Sequence, residues 1–298
     1  MLFSKSLLCA VTALAASVSA QSSSSADSQI ALAQLSLSAA KLIPNPIKQE
    51  YLSLEAALTE TFKNGSVDQP GTTLSVGTTS TAPTLKLTIP DSAQSRFNSS
   101  TKYTVLTLDP GAPVEPVDKK VVRHFLVNDV PVGSDGTLDV SSGKNVAGWF
   151  ATAPPLGSGT HRYATLIFRQ PSDFNPPASL TTPDKNIVID FSLSDYVEQA
   201  KPGPIVAATF FLQANDNEAK AGSSKSVSAV PTTSVAAASV SQAASSVSAS
   251  IQNLAGSATA TSKSSSGSGS NSASRPLSTH VLAVVLSVAA IAVGAALV

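Results

Sequence analysis

Residues 103–108 read YTVLTL and residues 122–130 read VRHFLVNDV. Both runs are rich in β-branched and aromatic side chains and are bounded by Pro, Gly and Asp clusters, the pattern of strands. Working outward, similar runs occupy 84–89, YATLIF at 163–168, NIVIDFSL at 186–193 and PIVAATFFLQ at 204–213. Leu52, Leu54, Ala56 and Leu58 alternate, and Asn64-Gly65 then supplies a tight turn. Only residues 28–43, SQIALAQLSLSAAKLI, predict a short helix, ended by Pro44. Many short strands with few helical segments predict a mostly β protein, an antiparallel β-sandwich.

The strands fill only part of the chain. Residues 1–20, MLFSKSLLCAVTALAASVSA, place Lys5 before an apolar run and end on Val18-Ser19-Ala20. That is the pattern of a secretory signal peptide cut before Gln21. Residues 281–298 are uncharged and apolar, behind a polar spacer (274–280) and the small residues 269–273. This order is the pattern for glycosylphosphatidylinositol attachment, with Asn271 the expected acceptor and Ser270 or Gly269 the competitors. Between domain and anchor, residues 221–270 are dominated by Ser, Ala, Thr, Val and Gly, with no aromatic residue and no acid. Such a stretch predicts a disordered, O-glycosylated stalk, with a weak Ala/Ser helix as its alternative. The expected organisation is a signal peptide at 1–20, a disordered N-terminus at 21–27, a folded domain at 28–218, a stalk at 219–271 and a removed propeptide at 272–298. Asn64-Gly65-Ser66 and Asn98-Ser99-Ser100 are sequons, and their position between strands predicts N-glycosylation at Asn64 and Asn98.

Composition narrows the function. The 298 residues carry 19 Lys+Arg against 19 Asp+Glu, which excludes the basic face of a nucleic-acid binder. Processing would remove Lys5, Arg275, His280 and Cys9. The mature chain would then carry no cysteine, so neither a disulfide nor a cysteine zinc site is expected. Its two histidines would be His124 and His161.

Those two histidines lie in three segments that can carry chemistry: Asp109-Pro110-Gly111-Ala112-Pro113 after one strand, Arg123-His124-Phe125-Leu126-Val127-Asn128 within another, and 154–163, PPLGSGTHRY, entering a third. In this order and spacing, DPGAP, RHFLVN and GSGTHRY resemble the phosphatidylethanolamine-binding protein family, over about 170 residues from the N-terminal helix to Phe211. The resemblance implies a large antiparallel sheet in a sandwich, short peripheral helices and a small anion-accepting pocket. It implies that Asp109, Pro113, His124, Pro155, His161 and Tyr163 line that pocket. The family's second acid falls at Gly111 here, which removes a carboxylate.

The residues support the same reading independently. Imidazole N–H and tyrosine O–H groups donate to phosphate oxygens, and an acid on a histidine fixes its tautomer. Arg123 and Arg162 alternate with the pocket positions and are expected to point away into structural ion pairs. Trp149 and Phe150 are expected in the core or the pocket wall. The leading expectation is therefore a non-catalytic, cofactor-free binder of anionic or phosphorylated ligands such as phospholipid headgroups, held at the cell surface by its anchor. One alternative is inhibition of a serine protease or carboxypeptidase through surface segments. Another is a structural surface protein with a vestigial pocket. A metal site of Asp109, His124 and His161 is a weaker reading. Nucleophilic chemistry is weaker too: no G-x-S-x-G elbow is present, and Ser158, near His161 in sequence, is expected to face another way.

Overall fold

The computed structural model describes residues 25–112, 121–183, 188–215 and 237–262. Eleven strands form two open sheets among them. The smaller sheet contains β1 (Ala57–Phe62), β2 (Gly65–Val67), β4 (Thr84–Thr88) and β7 (Thr137–Leu138) in the order β2-β1-β4-β7. The larger contains β3 (Thr72–Thr73), β5 (Lys102–Asp109), β6 (Val121–Pro131), β9 (His161–Arg169), β10 (Val188–Phe191) and β11 (Ile205–Gln213) in the order β10-β6-β5-β9-β11-β3. A further strand, β8 (Lys144–Ala147), also pairs with β6. Pairing is antiparallel throughout except at one edge, where two-residue β3 runs parallel to β11. The antiparallel sandwich expected from the sequence is thus the observed architecture, with one mixed edge.

The apolar runs that marked the strands have a packing cause. Every residue of β11 is buried, as are residues 103–109 of β5. One face of the large sheet packs on the small sheet through Val105, Phe125, Val127 and Ile167 against Leu58, Leu85 and Leu87. Its other face, with Leu106, Leu108, Leu166 and Phe168, is covered by Leu37, Leu42, Ile47 and Tyr196. A sheet buried on both sides loses the polar alternation of a half-exposed one. The β1–β2 hairpin pairs Phe62 with Gly65, so its two loop residues are Lys63 and Asn64, one position earlier than the Asn64-Gly65 reading.

Helix α1 (Ala26–Ala39) matches the expected N-terminal helix, and the Ser28 N–H donates to the Ser25 hydroxyl that caps it. Helix α2 (Leu193–Ala200) begins where a strand was expected to end. Its Ser192 cap accepts from the Asp195 N–H, and Lys201 closes it in the left-handed region at φ 50°. The largest departure is helix α3 (Ala237–Ser262), inside the stretch expected to be a disordered stalk. Val240, Ala243, Ala244, Val247 and Ile251 form one face of it and join the core cluster that contains Ile30 and Ala31 of α1. The Ser248 hydroxyl bonds to the Asp27 carboxylate across the same contact. Tertiary packing supplies what this sequence lacks in propensity.

Among the described residues, no helix is long and apolar enough to cross a membrane. The signal peptide, Pro113, Asn271 and the apolar tail lie outside the described residues.

Candidate functional site

The large sheet brings Asp109, His124, His161 and Tyr163 to one end and one face. Asp109 closes β5, one step past the Leu108–Ala164 pair with β9. His161 opens β9 opposite Gln213, and Tyr163 lies two residues along, on the same face as His161. His124 reaches that face through a β-bulge. Thr107 opposes Phe125 while Leu108 opposes Arg123, which leaves His124 as the extra residue of β6. Without the bulge, alternation would send His124 and Phe125 to opposite sides.

Hydrogen bonds fix the polar groups. The Asp109 Oδ1 accepts from the Gly111 N–H at 2.7 Å, and its Oδ2 lies 2.8 Å from His161 Nδ1. His161 Nε2 lies 2.8 Å from the Ser158 hydroxyl, which also reaches the Pro155 carbonyl at 2.7 Å. His124 Nδ1 lies 2.9 Å from the Phe150 carbonyl, while the Phe150 N–H donates back to the His124 carbonyl. A carbonyl only accepts, so His124 Nδ1 carries a hydrogen. An ionised carboxylate likewise requires a hydrogen on His161 Nδ1. Both rings are therefore anchored through Nδ1, with Nε2 of His161 turned to the Ser158 hydroxyl and Nε2 of His124 the working atom of that ring.

Rings and charges complete the site. The Tyr163 ring stacks between Phe211 (5.0 Å) and His161 (6.2 Å) and meets His124 edge-on at 5.3 Å. Burial, then the Asp109 carboxylate, drives the Tyr163 phenol well above its ordinary range, so it is a donor and not an anion. Burial lowers the His124 pKa, opposed by its bond to the Phe150 carbonyl and by the Asp109 charge; His161 adds to the lowering. His124 is consequently neutral near pH 7.

Two further devices hold the frame. Arg162, fully buried, donates from Nε to the Gly111 carbonyl at 3.1 Å and from Nη1 to the Ala40 carbonyl at 2.8 Å. By alternation along β9 it faces away from His161 and Tyr163, and its described hydrogen bonds are to carbonyls and not the ion pair that the sequence suggested. Burial pushes its pKa down to about 10. The segment before Pro154 is held by a hydroxyl–amide chain: Thr79 and Thr152 lie 2.6 Å apart, and the Thr152 hydroxyl donates to Gln213 Oε1 at 2.9 Å. Trp149 donates to the Thr79 carbonyl and packs on Phe62 and Phe125, in the core, whereas Phe150 is 44% exposed beside His124.

Of the residues singled out from sequence, Asp109, His124, His161 and Tyr163 converge. Pro155 is exposed and contributes its carbonyl. Asn64 and Asn98 are exposed in loops on either side of strands. Ser158 is a correction: it faces His161, because Gly157 (φ +73°) and Gly159 (φ +88°) turn the chain on either side of it. Its flanking glycines were the available signal. Among the described residues, no three His, Cys, Asp or Glu side chains group as metal ligands.

Residues 59–203 match the family model for phosphatidylethanolamine-binding protein. The chain is 28% identical over 152 residues to an uncharacterized protein of Saccharomyces cerevisiae, covering 49% of this chain and 73% of that one. It is 27% identical over 171 residues to phomoidride biosynthesis cluster protein N of Talaromyces stipitatus, covering 54% and 86%. Among solved structures, a carboxypeptidase Y inhibitor in complex with its cognate proteinase aligns at a TM-score of 0.49 and 19% identity, over 62% of this chain and 98% of that one. With Asp109, His124, His161 and Tyr163 assembled at one sheet end, the stretch 59–203, just under half of the chain, is similar to the phosphatidylethanolamine-binding protein family.

Proposed function

We propose that this chain is a secreted, cell-surface module that binds phosphate-like anions non-covalently, phospholipid headgroups among them. The observation that carries the reading is the shared anchoring of both imidazoles through Nδ1, beside the Tyr163 hydroxyl, at one end of the sheet. Asp109, His124, His161 and Tyr163, with Pro155 at the rim, form the pocket. The signal peptide and the anchor at Asn271 would place it outside the plasma membrane or in the cell wall, with glycans on Asn64 and Asn98.

The valence of His124 makes the reading testable. A neutral ring with its hydrogen on Nδ1 presents a lone pair at Nε2, which repels an anion. A protonated ring presents an N–H there. Anion binding through His124 therefore draws in a proton and raises the pKa that burial had lowered. Asp109 and His161 are the ionisable neighbours that act on this ring. Affinity for glycerophosphoethanolamine, whose phosphodiester keeps one negative charge across the range, should rise between about pH 8 and pH 5, by at most about tenfold per unit for one proton. Calorimetry in two buffers of different ionisation enthalpy reads the proton uptake. Flat affinity with no uptake would refute the role of His124.

A further inference from the structure

We propose that Ser158, His161 and Asp109 form a nucleophile, base and orienting acid, so that Ser158 takes up an activated phosphoryl group covalently. The inference goes beyond non-covalent recognition and does not depend on it; the pocket reading enters only in the choice of a phosphorus electrophile.

The geometry is a continuous relay. Asp109 Oδ2 and His161 Nδ1 are 2.8 Å apart, and His161 Nε2 and the Ser158 hydroxyl are 2.8 Å apart. Each contact lies within hydrogen-bond reach, and the base is oriented by a third group, as nucleophilic catalysis requires. The orienting acid is fixed in turn by the Gly111 N–H at 2.7 Å. A turn closed by Ser158 N–H to the Pro155 carbonyl, with Gly157 and Gly159 in the left-handed region, presents the serine beside Leu156, which is 51% exposed. A structural turn needs the glycines and the Ser158 N–H; it does not need the hydroxyl on Nε2.

The proton count decides when the serine is active. With Nε2 protonated, the ring donates to the Ser158 oxygen and the hydroxyl donates to the Pro155 carbonyl, so the serine proton is spoken for. With Nε2 unprotonated, the hydroxyl donates to Nε2 and can pass its proton there. The Ser158 oxygen then attacks phosphorus with an electron pair, its proton moves to His161 Nε2, and the bond from phosphorus to the leaving group breaks. The leaving group departs with the bonding pair, as fluoride from a phosphorofluoridate or as an alkoxide that takes the proton back from Nε2. Asp109 remains a carboxylate and stabilises the charged ring throughout.

The test is diisopropyl fluorophosphate on the purified full chain, read by intact mass and peptide mapping. One diisopropylphosphoryl group on Ser158 is expected, with none at that position in Ser158→Ala. His161→Gln and Asp109→Asn should slow labelling by about 100-fold or more, the range of a lost general base. Thermal unfolding identifies any variant that fails to fold, and the wild-type pH profile provides a readout free of mutation: labelling should slow toward acid pH, whereas anion affinity should rise there. Labelling no faster than in denatured chain, labelling elsewhere, or an unchanged rate in folded His161→Gln would overturn the proposal. Glycerophosphoethanolamine titrated into the same preparation separates the two readings. Labelling without anion binding supports this one and refutes the previous one, and binding without labelling does the reverse.

Discussion

Glu60 is an acid in an apolar place, and its cost can be worked out. It lies on β1 between Leu58 and Phe62 on the inward face, fully buried between the sheets. Neither carboxylate oxygen has a hydrogen-bond partner, and the nearby Thr165 hydroxyl is paired with Thr107 at 2.9 Å. Burial raises its pKa from 4.5 to about 7, with Thr165 acting in the opposite direction. The folded chain therefore holds this proton more tightly than the unfolded chain. Its contribution to stability is fully present below about 4.5 and is lost as pH rises to about 7. A shift of that size corresponds to about 3 kcal/mol at ~1.4 kcal/mol per unit. For a domain of this size that is roughly 6–12 °C in Tm. The perturbation is Glu60→Gln, which keeps the shape and cannot ionise. The assay is urea unfolding of both proteins between about pH 4 and pH 8. The wild type should lose about 3 kcal/mol relative to the variant across that interval. A difference constant to within about 1 kcal/mol would refute the buried-acid account.

Three further outcomes follow. Gly111→Asp restores a second carboxylate at the pocket mouth and should weaken anion binding by about tenfold, or ~1.4 kcal/mol of screened repulsion; tighter binding in a phosphate titration would contradict this. Because Gly111 sits at φ +77°, the same change should cost about 1 kcal/mol of stability by denaturant unfolding. Ile251→Asp places a charge at a fully buried contact of α3 with the core and should release that helix, speeding amide exchange across 237–262 while β5, β6 and β9 stay protected. Unchanged exchange in α3 would mean that the contact contributes nothing.

The strands were legible because burial on both faces left long β-branched and aromatic runs, as at residues 103–108 and 204–213. The convergence of Asp109, His124, His161 and Tyr163 was legible only through three motifs taken together. Alternation alone could not have placed His124 beside Phe125 on one face, because a bulge leaves no mark in a period of two. Ser158 was misread for a related reason: two positive-φ glycines reverse the facing that strand geometry predicts. Helix α3 was hidden by composition. Val240, Val247 and Ile251 recur at helical spacing, but among Ser and Ala their signal is weak, and the docking partner Ile30 lies more than 200 residues away. Helix α2 had a visible start in Ser192 and Asp195, masked by the apolar run before it. Nothing in the sequence around Glu60 marks it as buried; the packing of the second sheet over it does that.

The central claim is that the two anchored imidazoles make an anion pocket. Its most direct test is calorimetric titration of inorganic phosphate and of glycerophosphoethanolamine into the wild type, His124→Ala and His161→Ala, each shown to be folded by circular dichroism. The account predicts saturable one-site binding in the wild type that is lost in both variants. Absence of binding by the folded wild type, or unchanged affinity in both variants, would contradict it and leave the sheet end a vestigial pocket.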